Sequence, residues 1–428
     1  MTDGLPVTAD LPGRFLQSLR RLVGGEQEDW IFEPKRKGQA LGLAVSGGGD
    51  SMAMLHLAAA SGLALRVVTV DHGLRAGAAA EAAGVGRVCA GLGLPHEVLC
   101  WHWDGRGNLQ DAARRGRRAV MAGWAQRVGV GAVALAHTQD DVAETFLMRL
   151  ARGAGVDGLS AMAARWDEAG VVWLRPLLGV SRAELRLYLT GIGAAWVEDP
   201  SNDNDRFDRV RMRKAMVGLG DLGLTAARLA EVAGHQAQAR QALERAADQA
   251  FARCAVVQGN AVRLDVATLA REAPEVQRRV LMQATLQLVP SDYAPRGPAL
   301  QALLGQVLAG KAATLAGLRF QVTRTGAWFY REYKAVAGLI CGADGLWDGQ
   351  WRITGDLPAG GEMRALGAGI AACKAWRATG LPRGAVMASP ALWLGEALLA
   401  APFACFGPGY GITPLFLAAR CHHSMLSH

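Results

Sequence analysis

A doubly wound parallel α/β sheet, followed by a helical domain and a small mixed α+β C-terminal region, is the fold class that three features of the chain predict. Short apolar runs alternate with helical stretches from Ala40 onward, a glycine-rich turn joins the first run to the first helix, and the composition changes after about residue 215. Strand, helix, strand, repeated in this way, builds a parallel sheet with helices on both faces.

The elements follow in order. Residues 1–38 hold one helix-like segment, Phe15–Leu22, then polar and basic sequence including Lys35-Arg-Lys37, and read as an N-terminal lead-in. Leu41–Val45 is apolar on both faces, as a central parallel strand is, and Met52, Leu55 and Leu57 resume as a helix. Leu65–Val70, Glu97–Trp101, Ala132–Ala136 and Val171–Leu178 read as further strands, and Ala78–Leu92, Leu109–Val128, Asp140–Leu150 and Ser181–Ile192 as helices. These make one domain over 39–215. A mostly helical domain over 216–335 follows, because Leu222–Phe251 is rich in Ala, Gln, Arg and Leu and Val266–Leu288 continues that character; Leu318–Thr323 and Ala327–Tyr333 are short strands. Residues 336–428 are rich in Gly, Ala and Trp without clear periodicity and form a third region of unassigned fold.

A length of 428 residues suits two or three domains, and 51% apolar residues suffice for their cores. A net charge of +8 is compatible with a polyanionic partner without requiring one. Seven scattered cysteines, with no Cys-x-x-Cys pair, read as small buried hydrophobes in a reducing compartment. No basic region followed by an apolar stretch opens the sequence, and the most apolar segment, Val386–Phe406, is interrupted by Pro390, Gly395, Glu396 and Pro402. A cytoplasmic protein without a membrane span is expected.

The chemistry begins at Ser46-Gly-Gly-Gly-Asp-Ser51. Three consecutive glycines let main-chain amides approach a ligand, and with the following helix start they form an anion site suited to pyrophosphate. A Walker loop ends in Gly-Lys-Ser/Thr and a Rossmann fingerprint spaces its glycines, whereas this turn does neither. It carries Asp50 where the Walker lysine would be, and an acid beside polyphosphate is repulsive unless Mg²⁺ lies between them. Asp50 therefore reads as a metal-side ligand.

Four further stretches lie near strand ends or carry charge. Val70-Asp-His-Gly-Leu-Arg75 is in isolation an ordinary strand end with a turn glycine; beside a pyrophosphate loop it puts Asp71 and His72 where adenine or ribose would meet the backbone. In Ala136-His-Thr-Gln-Asp-Asp-Val-Ala-Glu-Thr145, Asp141, Glu144 and Thr145 share a helix face, as do Thr145, Arg149 and Arg152. Capping by Thr138 or Asp140, with acids complementing the helix dipole, accounts for Asp140 as well as a functional role does. His137, Arg149 and Arg152 nearby favour a site for an amino acid or a metal-bound nucleotide. Finally, residues 106–118 hold five arginines against Asp111, and residues 206–214 hold Arg206, Arg209, Arg211, Arg213 and Lys214 against Asp208. Of these, Arg114 and Arg209 are assigned to the site and the rest to a solvated face.

Taken together, SGGGDS, VDHGLR, AHTQDDVAET with MRLARGAG, RPLL and WVEDPSN, in that order over residues 40–214, resemble the tRNA(Ile)-lysidine synthase family of PP-loop (N-type ATP pyrophosphatase) enzymes. The resemblance implies a Rossmann-like PP-loop domain and a ligase that forms a carbon–nitrogen bond. ATP adenylates the C2 oxygen of the wobble cytidine in the CAU anticodon of an isoleucine tRNA; free L-lysine then displaces AMP to leave lysidine. It implies ATP and Mg²⁺ as cofactors, tRNA(Ile) and L-lysine as partners, and allows a homodimer. ATP falls to Ser46, Gly47, Gly48, Gly49, Asp50, Ser51, Asp71, His72 and His137; catalysis to Asp50, Asp141, Glu144 and Arg114; and lysine or tRNA to Arg149, Arg152 and Arg209. Arg114 matches the arginine of the family's Asn-x-Gln-x-x-Ala-Arg segment, while Arg209-Val-Arg211-Met-Arg213 departs from the family's Arg-Asn-x-x-Arg, which leaves the substrate-contacting arginine open. A thiolation enzyme of the same loop class is disfavoured by the absent cysteine pairs, a glutamine-dependent synthetase by the absent glutaminase domain, and a non-catalytic tRNA-binding protein by the intact acids and arginines.

Overall fold

The computed structural model describes residues 10–24, 40–71, 73, 77–103, 105, 109–198, 208–289 and 297–414. The chain divides into two compact units, Met1–Gln238 and Ala239–His428.

The first unit opens with α1 (Leu11–Val23), whose Leu11, Phe15, Leu19 and Val23 recur every fourth residue and are all buried. That spacing is one helical stripe, and it packs into the core built from β1 (Leu41–Ala44) and α2 (Gly49–Ala59). Arg165 Nη1 donates to the carbonyls of Leu22 and Val23 at 2.9 and 2.6 Å and so satisfies the helix C-terminus. The lead-in expected over residues 1–38 thus includes a helix that is an integral part of the core, because its stripe has an apolar surface to cover.

The sheet continues through β2 (Leu65–Asp71), α3 (Ala78–Gly91), β3 (His96–Cys100), α4 (Leu109–Arg127), β4 (Ala132–Leu135), α5 (Gln139–Leu150), the short α6 (Val156–Leu159), β5 (Arg165–Glu168) and β6 (Val171–Leu174). Its order is β3-β2-β1-β4-β6-β5, parallel except for β5. Leu41 pairs with both Leu65 and Ala132, so β1 sits between strands reached in opposite directions, and the crevice beyond its carboxyl end is the topological switch point. The run expected as strand to Leu178 ends at Leu174, where Arg175-Pro176 turns the chain. α7 (Arg182–Gly191) starts with a capping box between Ser181 and Glu184. Arg14 of α1 reaches Glu184 Oε1 at 2.5 Å and the Gly179 carbonyl at 3.0 Å, tying α1 to this helix start.

α8 (Asp208–Gly220) and α9 (Ala226–Cys254) follow. Leu229 and Ala233 of α9 pack on Val142 and Phe146, and the Ala161 amide donates to the Ala233 carbonyl at 3.1 Å. The first unit therefore takes in the start of α9 and runs to Gln238.

The second unit is less helical than the sequence suggests. Ala255–Gln258, Ala261–Leu264, Gly326–Arg331, Leu318–Thr323 and Ala313–Leu315 form, in that order, a five-stranded antiparallel sheet. Helices Pro274–Leu288 and Gly297–Leu308 share a core with it through Val280, Leu304, Phe320 and Phe329. The region left unassigned holds a four-stranded sheet of Ile340–Gly342, Glu362–Ala365, Pro390–Leu394 and Ala397–Ala400. Val386–Phe406 thus lies in short helix and strand, and no helix among the described residues is long and apolar enough to cross a membrane. Of the described cysteines, Cys89, Cys254 and Cys373 are buried as expected, whereas Cys100 and Cys405 are exposed.

Candidate active site

The glycine turn lies between β1 and α2 at the switch point. Gly47 adopts φ +90°, a conformation L side chains rarely take. Ser51 Oγ accepts from the Ser46 amide at 3.1 Å and donates to the Gly48 carbonyl at 2.8 Å, so the two serines cross-brace the turn. The Val197 amide donates to the Gly47 carbonyl at 3.0 Å, which brings the Trp196-Val-Glu198 segment against the loop. A Cβ on Gly47 would meet nothing closer than Val85 Cγ2 at 3.5 Å, so only the backbone opposes substitution. Gly47→Ala is expected to lower stability by about 1–2 kcal/mol, read as a reduced Tm; an unchanged Tm would show that the loop does not need this conformation.

Beyond the loop opens a cavity of about 620 Å³, lined by Ser46, Gly48, Gly49, Asp50 and Ser51 on one side and by His137 and Asp141 on another. Val68, Thr69 and Val70 of β2, Arg117 and Met121 of α4, and Arg186 of α7 complete much of its wall. Phosphate loop and acidic helix thus face one space.

Thr138 caps α5, and Asp141 returns the bond: its Oδ2 accepts from the Thr138 amide at 2.8 Å. Its other oxygen, Oδ1, accepts from Arg182 Nη2 at 2.7 Å. Burial would raise this carboxyl, but Arg182 and the Thr138 amide hold it below its ordinary value. Glu144, one turn on, is 1% exposed; its Oε1 accepts from Arg182 Nη1 at 2.5 Å and Arg213 Nε at 3.1 Å, while its Oε2 has no protein partner. Asp50 meets Arg182 Nε at 3.4 Å and Arg186 Nη1 at 3.2 Å. Burial nonetheless pushes its carboxyl upward. Asp140, the alternative cap, accepts instead from the Arg182 amide at 2.8 Å.

Arg182 and Arg186 carry no role in the sequence reading, yet they link the loop to the acids. A signal was present: Arg182 is the first residue of a helix, where the dipole disfavours a cation. Arg186 is steered by Glu198 Oε1 at 3.5 Å and lies 5.4 Å from the Trp196 ring centroid. Arg175, the arginine of RPLL, is also central. It lies 4.1 Å over the Trp166 ring and donates from Nε to His137 Nδ1 at 3.2 Å. Burial and that neighbouring charge hold His137 well below its ordinary value, so it acts as a neutral acceptor.

The remaining assignments separate. Arg114 stands within electrostatic reach of Arg118, Arg209, Arg117 and Arg149, and burial with these like charges holds its guanidinium down at about 10. Such a cluster favours an anion. Arg209 is 3.8 Å from Asp141 Oδ1, farther than Arg213 is from Glu144. Arg149 donates to the Gly158 carbonyl at 2.9 Å, and exposed Arg152 pairs with Asp208 at 2.9 Å. Asp71 accepts from the Gly73 amide at 2.8 Å and turns its carboxylate into its own turn. His72, Arg106 and residues 199–207 lie outside the described residues.

A family model described as a PP-loop domain matches residues 25–219. The tRNA(Ile)-lysidine synthase of Ruegeria pomeroyi is 46% identical over 413 residues, 95% of this chain and 98% of that protein. That of Rhodopseudomonas palustris is 41% identical over 315 residues, 70% of this chain and 88% of that protein. Among solved structures, the U34-tRNA thiolase NcsA from Methanococcus maripaludis aligns with TM-score 0.42 and 16% identity over 53% of this chain and 78% of that one. A PP-loop domain match and identity sustained across nearly the whole length lead to one conclusion: the chain belongs to the tRNA(Ile)-lysidine synthase family.

Proposed function

We propose that this ligase joins the amino group of free L-lysine to C2 of the wobble cytidine in the CAU anticodon of tRNA(Ile), consuming ATP to AMP and pyrophosphate. One observation carries the assignment of parts: the phosphate loop and Asp141 line the same cavity, with Glu144 joined to them through Arg182. The amides of Gly47, Gly48 and Gly49, with Ser46 and Ser51, hold the departing pyrophosphate. The cluster around Arg114 takes negative charge from the α-phosphate or the tRNA backbone. Asp141 and Glu144 bind the lysine ammonium groups, and one of them accepts the proton that the attacking amine loses.

The donor set suits Mg²⁺. Asp50 and Asp141 are hard oxygen donors lining one cavity, and among the described residues no group of three or more ligating side chains could form an all-protein metal cage. A cation shared with substrate phosphates is the arrangement such a site supports. Mg²⁺ held by Asp50 would offset the polyphosphate charge. The second unit is proposed to grip the body of the tRNA.

Incubation of the full chain with labelled lysine, ATP and tRNA(Ile) bearing CAU is expected to place one lysine on each tRNA with AMP and pyrophosphate released. Pyrophosphate release on another substrate, with no lysine transferred to this tRNA, would sink the proposal.

A further inference from the structure

We infer that Arg182 is a positioning residue that couples occupancy of the phosphate loop to the affinity of the acid pair for lysine. The inference rests on the reading of Asp141 and Glu144 as the lysine site.

Each guanidinium nitrogen of Arg182 faces a different carboxylate: Nε meets Asp50 in the phosphate loop, Nη2 meets Asp141 and Nη1 meets Glu144. Arg182 alone thus spans the loop acid and both helix acids with a single side chain in these ion pairs. Three of its five N–H donors are engaged, one on each nitrogen and each toward a different acid, so a strong new anion on the Asp50 side pulls the whole planar group against its bonds to the other two. The placement also opposes the local preference of the chain, because a cation at a helix start faces the positive end of the dipole. The acids hold it there.

Charge counting gives the coupling its sign. Asp50, Asp141 and Glu144 are met by four guanidinium groups, those of Arg182, Arg186, Arg209 and Arg213. A lysine ammonium entering this arrangement adds a cation to acids that are already neutralised, and Coulomb repulsion opposes it. A polyphosphate in the loop reverses the balance: it lies on the Asp50 side, competes for the guanidinium groups of Arg182 and Arg186, and draws Arg182 away from Asp141 and Glu144. The buried Oε2 of Glu144, which has no protein partner, then has a donor to receive, together with the oxygens Arg182 releases. Lysine is thereby admitted when ATP is in place, and its amine is not engaged before there is an electrophile to attack.

The test measures lysine binding by calorimetry on the full chain, with and without α,β-methylene-ATP and Mg²⁺. The natural protein is expected to bind lysine on the order of tenfold more tightly when the analogue is present. Arg182→Gln should bind it equally in both conditions. Arg182→Lys keeps a cation but cannot span three carboxylates, so it too should lose most of the response, and it decides the matter if the Gln variant fails to fold. A tenfold response retained in either variant, or absent from the natural protein, overturns the coupling. Glu144→Gln reports separately on the underlying site: undiminished lysine binding in the presence of the analogue would overturn that reading, whereas weakened binding with the response intact in Arg182→Gln would overturn only the coupling.

Discussion

Asp50→Ala is expected to reduce tRNA-dependent pyrophosphate release from ATP by about 10²- to 10³-fold, the range for removing one electrostatic contributor at a transferring centre. The side chain is partly exposed at the cavity wall, and its loss removes no apolar packing. The fold should therefore persist, with an unchanged far-ultraviolet circular dichroism spectrum. What is lost is the acid that Arg182 and Arg186 converge on and that would share a cation with the phosphates. Full pyrophosphate release by this variant would remove Asp50 from the chemistry.

Phe15→Ala should have the largest effect on stability, about 3–5 kcal/mol from lost burial and the cavity left behind. Phe15 is 0% exposed and packs with Leu11, Leu19 and residues of β1 and α2. Equilibrium denaturation would read the loss as a lower midpoint at unchanged slope. An unchanged midpoint would return α1 to the status of a dispensable lead-in. The helix also holds Glu184, so part of the loss should appear as weaker support for the start of α7.

Much of the sheet was legible because its central strands are covered on both faces. Leu41–Ala44 and Ala132–Leu135 can only be apolar throughout, and uninterrupted apolar runs between helices declare themselves. Arg165–Glu168 did not, because Arg-Trp-Asp-Glu at a sheet edge buries only Trp166 and is otherwise charged. The hairpin at 255–264 carried a readable sign, Gly259-Asn260 between two apolar runs, but the long helix before it dominated the pattern. Asp141 and Glu144 were visible as one helix face. Arg182 was not, since its contacts with Asp50 and Glu144 span 132 and 38 residues and leave no periodic trace. Its only local mark was its unfavourable position at a helix start.

Gly49 bears on how the loop came to hold an acid. A Cβ there would lie 1.7 Å from Arg186 Nη1, so the residue is small to admit a guanidinium as much as to admit a ligand. In a Walker loop the phosphate cation is part of the loop itself. Here the loop supplies a carboxylate and borrows its positive charge from a helix 136 residues downstream. The strength of its hold on a phosphate is consequently not a property of the loop sequence. It is set by the docking of α7, and a swap of the glycine hexapeptide into another strand–turn–helix would transfer the shape of the cradle but not its grip.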